Sequence, residues 1–341
     1  MKVLSNKKHK KILLQKKDKR ILNLLCSNVR LPTSKISKLL KTSRQTTEYR
    51  INVFKREHIL AGSRTVINIK KLGYHSFHFF TTIQSTEDEK KLIERCKKSK
   101  YVNALISYSG KYNYEVSIMA KSPEEANNEF LSLINNIKVI DYFPTILLQT
   151  ITSKILPEVE FMDDPEINRI KNDPSFTKSF KEKDEDYKID STDLKILYDL
   201  SQNANLSLSE LGTKLNLTKD TISYRIKKLI SSNYIFQFRP VIDFSVLNLK
   251  VQTVLIRTLN RTQESDNIFN EFLKSSQTVL WATELFGNWD YLIYVITEQQ
   301  EEIHNFVQTL RNQFGNYIQQ YEILFAYQEY KYSFMSEAIK S

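Results

Sequence analysis

At 341 residues, with 41% hydrophobic and 26% charged side chains, the chain has the make-up of a folded globular protein too long for one ordinary core. No apolar run approaches the ~18 residues of a membrane span, and the basic N-terminus lacks the apolar stretch of a signal peptide. Two cysteines, Cys26 and Cys96, without CxxC spacing or a nearby histidine cluster, exclude a disulfide framework and a zinc site and fit reduced thiols in a cytoplasmic protein.

The net charge of +11 is laid out unevenly. Residues 1–75 hold 20 Lys and Arg against 3 Asp and Glu, a surplus of +17, whereas the rest of the chain is near neutral or acidic by segment. A field so concentrated at one end suits a polyanion such as nucleic acid, double-stranded DNA or RNA, with a solubilising tail the alternative for the first 20 residues.

In chain order, a basic arm (1–17) leads into "DKRILNLL", whose apolar residues recur at helical spacing. Ile36, Leu39 and Leu40 mark a second helix, and Thr47, Ile51 and Phe54 a third. The alternating stretch "ILAGSRTVINI" then predicts a two-stranded wing, so that 18–74 reads as a winged helix-turn-helix. Residues 75–156 follow the order strand, helix, strand, strand, helix, strand, a ferredoxin-like βαββαβ unit. The stretch 157–188, with three prolines, many charges and no sustained apolar period, predicts an exposed acidic linker.

The plan then repeats. With an offset of 175 and no gap, Asp18, Ile21, Leu22, Leu25, Asn28, Leu31, Ser34 and Leu40 meet Asp193, Ile196, Leu197, Leu200, Asn203, Leu206, Ser209 and Leu215. "TTEYRI" (46–51) meets "TISYRI" (221–226), and Arg64, Val66, Ile67 and Leu72 meet Arg239, Val241, Ile242 and Leu247. Chance would not hold register this long: the chain is an internal duplication, with a second winged helix-turn-helix at 189–249 and a second ferredoxin-like unit at 250–334. In the second head, Ser191 or Thr192 is expected to cap the first helix, Ser207 or Ser209 the second and Thr218 the third. The fold class is therefore α+β, two copies of one two-domain module. Tyr321, Ile323, Phe325 and Tyr327 alternate on one side of the last strand, so a second sheet is the expected cover for that face.

Burying Ile222, Ile226 and Leu229 turns Lys219, Thr221, Ser223, Tyr224 and Lys228 outward on the third helix of the second head. The same positions of the first head include Arg44, Gln45, Thr46 and Tyr49. Arg and Gln at the start of a helix in the major groove match guanine and adenine edges, while hydroxyls, lysines and N-terminal amides match phosphates. Arg50 and Arg225 flank the buried stripe and suit a phosphate or a local carboxylate; Arg64 and Arg239 suit a wing-to-backbone contact or a structural ion pair.

A helix-turn-helix followed by a ferredoxin-like module, written twice in "SLSELGTKLNLTKDTISYRIKKL" and "PTSKISKLLKTSRQTTEYRI", resembles the feast/famine (Lrp/AsnC) transcription regulators over nearly the whole chain. The resemblance implies a sequence-specific DNA-binding regulator whose ferredoxin-like (RAM-type) units self-associate, here within one chain or between chains, and sense an amino acid or related small molecule. It places the ligand turn at "GNWDY" and "GKYNY", hence at Gly287, Trp289 and Asp290 and at Gly110, Tyr112 and Asn113, where Asn113 lacks the charge of Asp290. A single-copy subunit is usual in that family, so duplication implies a pseudo-dimer holding two reading heads.

Two alternatives stand beside this reading. Siroheme decarboxylases share the same plan, which keeps an enzyme open, and an architectural DNA binder would need no effector. Against an enzyme, His9, His58, His75, His78 and His304 all fall off the turn and the second strand, and His75 and His78 read as surface or core fillers. No nucleophile triad, paired carboxylates or phosphate loop stands out among only six glycines, so no catalytic residue, metal or cofactor is assigned.

Overall fold

The computed structural model describes residues 12–157, 164–172 and 187–340. Most of the basic arm and two parts of the acidic linker therefore lie outside the described residues. The first head is built from α1 (Lys16–Ser27), α2 (Thr33–Leu39) and α3 (Arg44–Arg56). Ile21, Leu22, Leu25, Ile36 and Phe54 meet in its core. Thr47, the polar counterpart of Ile222, is fully buried, and its hydroxyl is satisfied by the Ser43 carbonyl at 3.1 Å and Thr42 Oγ1 at 2.9 Å.

The first ferredoxin-like unit comprises β2 (His75–Ile83), α4 (Thr86–Lys98), β3 (Val102–Ser109), β4 (Tyr114–Ala120), α5 (Pro123–Ile134) and β5 (Val139–Ser153). The linker contains α6 (Pro165–Asn172). The second head consists of α7 (Ser191–Gln202), α8 (Leu208–Leu215) and α9 (Lys219–Ser231). Its ferredoxin-like unit follows as β7 (Lys250–Thr258), α10 (Gln263–Ser275), β8 (Val279–Gly287), β9 (Tyr291–Thr297), α11 (Gln300–Phe314) and β10 (Ile318–Tyr332). Ser207 and Thr218 cap α8 and α9 as expected, but the cap of α7 is Asp190, which closes a capping box with Asp193.

The wings depart from expectation. Neither half forms a two-stranded wing of its own. Each contributes one strand, β1 (Leu60–Ile67) or β6 (Ile235–Ile242), and the two pair antiparallel into a ribbon shared by both halves. Arg64 stands opposite Arg239 in that register.

The two ferredoxin-like sheets also merge, into one closed barrel of order β10-β3-β4-β2-β5-β8-β9-β7. The device is the length of β5 and β10, 15 residues each. β5 pairs with β2 of its own half and β8 of the other, and β10 pairs with β7 and β3. Register shifts at Leu147/Gln149 and Thr150/Thr152, matched by Ala326/Gln328 and Glu329/Lys331, fall where each strand pairs with the other half, and bulges bend a strand. Closure leaves no exposed sheet edge.

Successive residues of a strand face opposite ways, and both directions are buried here. Phe79 and Val116 pack outward against α4 and α5, while Phe80 and Ile106 turn inward to meet Leu255, Leu285 and Leu324 of the other half. The other half's sheet thus covers the inner face. The stripe expected to make that contact is on the wrong side, however. Tyr321 and Ile323 pack toward Phe269 and Phe314 of the helix layer, Phe325 and Tyr327 are exposed, and Leu324 is the buried inward residue.

Each head packs on the strands of the opposite half. The core around Ile21 and Phe54 continues into Ile242, Phe244 and Leu247 of the second half, and the core around Ile196 and Leu229 continues into Ile67 and Met119 of the first half as well as Met335 of its own. Backbone bonds stitch the exchange: Val29 N–H donates to the Phe238 carbonyl at 3.0 Å, and Asp243 N–H to the Ile59 carbonyl at 3.1 Å.

Helix α6 corrects the expectation of an exposed linker over its described part. Arg20 of α1 holds Asp164 at 2.6 Å and Glu166 at 2.7 Å, and Ile167 is buried in the first head's core. The hydrogen bond from Arg20 holds the Asp164 carboxyl below its ordinary range, outweighing desolvation. A depressed carboxyl stabilises the folded state above its unfolded pKa of about 4 and loses that contribution as pH falls through the folded value. Amide protection factors in 165–172 are therefore expected to fall below about pH 4, ahead of those in the barrel strands. Unchanged protection there down to global unfolding would refute this anchoring.

Candidate nucleic-acid interface and ligand turns

Ser43 accepts the Thr46 N–H at 3.0 Å at the start of α3, and Thr218 accepts the Thr221 N–H at 3.2 Å at the start of α9. These caps leave the remaining first-turn amides aimed outward, toward where an anion is favoured. Arg44, Gln45 and Tyr49 are exposed on α3, with Thr46 partly so. Lys219 and Tyr224 are exposed on α9, with Thr221, Ser223 and Lys228 partly so, and Lys228 Nζ sits 5.9 Å above the Tyr224 ring centroid. Arg44 makes only a surface ion pair with Glu48, at 2.7 Å, a contact weak enough to exchange for a base. The first turn of α3 carries no acid, whereas that of α9 carries Asp220, so the heads differ in charge at the tip as well as in sum.

Four arginines are engaged within the protein. Arg50 reaches Asp18 Oδ1 at 3.5 Å and Gln15 Oε1 at 3.3 Å, and Arg225 reaches Asp190 at 2.8 Å and Asp193 at 3.0 Å. Each ties its recognition helix to the start of the head's first helix. At Arg225, burial opposes the charge, but the hydrogen bonds to both aspartates hold the pKa above its ordinary value. Arg64 is buried, 3.5 Å from Glu329 and 5.0 Å from the Tyr332 ring centroid, so for it the structural ion pair holds. Arg239 turns to Gln237 Oε1 at 2.7 Å and to Ser153 Oγ at 3.0 Å.

The paired turns are spent on architecture. Asn113 accepts the Ile83 N–H at 2.9 Å and donates to the Ile83 carbonyl at 2.6 Å, closing the end of β2. Asp290 does the equivalent for β7, accepting from Thr258 N–H at 2.7 Å and Thr258 Oγ1 at 2.9 Å, with Arg261 at 3.4 Å. Tyr112 and Trp289 are buried together in the barrel's inner core. Gly110 and Gly287, at φ of +150° and +149°, lie where the two halves meet: an added Cβ would stand 2.8 Å from Leu324 Cδ2 or 2.9 Å from the Pro144 carbonyl. Asn113 and Asp290 are thus engaged rather than poised, though both turns border surface.

Sequence reasoning missed a polar cluster. His78 is a core residue, one of the two readings given it, and a hydrogen-bonded one: Nδ1 lies 2.5 Å from Glu115 Oε1 and Nε2 3.0 Å from Ser76 Oγ. Tyr108 donates to the other oxygen of Glu115, and burial, then the Glu115 charge, pushes its hydroxyl pKa well up. The signal available was a lone carboxylate inside the apolar strand "YNYEVSIMA". Among the described residues, no group of three or more His, Cys, Asp or Glu could hold a metal ion, and no helix is long and apolar enough to cross a membrane.

Residues 14–53 match the AsnC-type helix-turn-helix domain and residues 189–235 a winged helix-turn-helix DNA-binding family. The transcriptional regulator AzlB of Bacillus subtilis is 27% identical over 120 residues, 35% of this chain and 76% of that protein. The HTH-type transcriptional regulator LrpA of Pyrococcus abyssi is 30% identical over 140 residues, 40% of this chain and 98% of LrpA. Among solved structures, the siroheme decarboxylase NirDL superposes with a TM-score of 0.57 at 12% identity, covering 95% of this chain and 96% of its own, which establishes a shared fold.

Proposed function

Since the chain belongs to the feast/famine (Lrp/AsnC) family of transcriptional regulators, we propose that it is a two-headed, sequence-specific DNA-binding regulator in the cytoplasm, its two fused halves doing the work of a dimer. The observation that carries this reading is the pair of N-capped third helices, each with its polar face free of the protein's own core. The shared ribbon and barrel hold both heads on one frame, which raises the effective concentration of the second head once the first is bound. The first head supplies most of the electrostatic attraction, and the near-neutral second head adds either specificity, through side chains other than Lys219, or a protein contact. An amino-acid-like effector at the turns of Gly110, Tyr112 and Asn113 or of Gly287, Trp289 and Asp290 belongs to this proposal; at the second turn it would compete with Thr258 and Arg261 for the Asp290 carboxylate.

Selection of bound duplexes from a random library tests it. Two enriched half-sites separated by whole helical turns, roughly 10 bp each, are expected; a single half-site would mean that one head alone reads bases. A second reading, an enzyme on the NirDL plan, is favoured by one observation, the His78–Glu115 pair buried inside the barrel. Tetrapyrrole absorbance in purified protein, with no enriched duplex, would favour it over the regulator.

A further inference from the structure

Between the ribbon and the barrel lies a cavity of about 700 Å³, lined by strands of both halves. Its cationic lining residues, Arg64, Lys70, Lys154 and Arg239, outnumber its carboxylates, Glu115 and Glu329. The imbalance has a specific origin. Arg64 and Arg239 are counterparts in the duplication and stand directly opposite each other in the ribbon, where like charges repel. Arg64 has Glu329 of β10 at 3.5 Å.

The duplication predicts a matching acid for Arg239, and none meets it among the described residues. Glu329 stands opposite Ile106 in the β10–β3 pairing; the equivalent β5–β8 pairing sets Thr150 opposite Thr283, the counterpart of Ile106. Thr150 therefore occupies the place of the second carboxylate. Arg239 is left with neutral acceptors: Gln237 Oε1 at 2.7 Å, Ser153 Oγ at 3.0 Å and the Ser153 carbonyl at 3.2 Å. These use three of its five N–H donors and leave one on each terminal nitrogen, each able to donate a charge-assisted hydrogen bond to a carboxylate oxygen. Burial lowers the pKa of Arg239, as for a desolvated cation lacking an acid. The cavity is also lined by apolar and aromatic side chains, with Trp281 and Tyr294 rings 5.1 Å apart, Leu147 on β5 and Phe236 on the ribbon strand that carries Arg239.

From this geometry we infer that the cavity is a binding site for an organic anion, its carboxylate on Arg239 and an apolar, ring-bearing body against Trp281 and Tyr294. The site is separate from the paired turns, whose Asn113 and Asp290 bond to the ends of β2 and β7. It lies on the ribbon strands from which both heads are hung.

The full-length chain supplies its own reporter, because Trp281 lines the cavity while Trp289, the other tryptophan, is buried in the inner core. Titration with 2-naphthoate is expected to change tryptophan emission saturably and to raise Tm, with the uncharged isostere 2-naphthamide at least about tenfold weaker. Arg239→Gln should erase that preference. As Arg239→Gln itself can weaken the fold, Thr150→Glu provides an independent check: by restoring the missing acid it should raise Tm without ligand and abolish the preference for naphthoate. Equal binding of acid and amide, no saturable response, or a Thr150→Glu protein that still prefers the acid would each overturn the site. None of these readouts involves DNA, so the outcome is separate from that of the duplex selection.

Discussion

Arg44→Ala is expected to weaken operator binding more than any other single substitution on either reading head. An arginine at the first position of a helix in the major groove can fork onto a guanine, a contact worth about 1–3 kcal/mol of discrimination, or roughly a 5- to 150-fold loss when removed. Arg44 is well placed for that role because its side chain is 70% exposed and its one ion pair, to Glu48, lies on the surface. Lys219, its counterpart on α9, is exposed as well, but it is followed by Asp220 and belongs to the head with little net charge. Lys219→Ala should therefore act as loss of one phosphate contact, lowering the salt slope of binding by about one without changing which sequence is preferred. Arg50→Ala makes the control. It should leave the sequence preference intact and lower Tm, because Arg50 ties α3 to Asp18 and Gln15. Fluorescence anisotropy on the selected duplex, at two salt concentrations, separates the three. Equal losses from Arg44→Ala and Lys219→Ala would sink the unequal-heads idea.

Gly287→Ala is expected to destabilise the whole barrel, not one turn. The residue has φ of +149°, a region that side chains rarely adopt, and a strained residue of this kind costs about 1–3 kcal/mol. The added methyl would also sit 2.9 Å from the Pro144 carbonyl and 3.2 Å from Thr145 Cβ, on the strand where β5 of the first half pairs with β8 of the second. Backbone cannot step aside as a side chain can. Gly110→Ala, at the other seam, meets first the end of the Leu324 side chain, which can shift, so its loss should be the smaller. Denaturant midpoints compare the two directly. A Gly287→Ala protein as stable as the parent would show that the seam tolerates opening and that closure is not what holds the halves together.

Local chemistry made much of this protein readable before any coordinates. The recognition helices follow from Ile222, Ile226 and Leu229 at spacings of four and three, and the capping by Thr218 from the short side chain just before them. Both ferredoxin-like units follow from alternation and helical period, and the duplication from register alone. Arg50 and Arg225 were harder. The sequence shows a cation beside a buried stripe, and only the packing of the first helix against the third reveals the carboxylates that meet it.

What the sequence determined by itself was the list of elements other than the wing strands and α6, their doubling and the outward face of each reading head, because these depend on residues within a turn or two of one another. Tertiary structure alone decided how the copies combine. The strand after each third helix pairs with its twin instead of folding back, each head packs on the other half, and β5 and β10 run long enough to close two sheets into one barrel. It also decided that His78 meets Glu115 and that Arg239 lacks the acid its twin possesses. Such pairings join residues far apart in the chain, and nothing in local propensity records which strand edge or which charge will be waiting there.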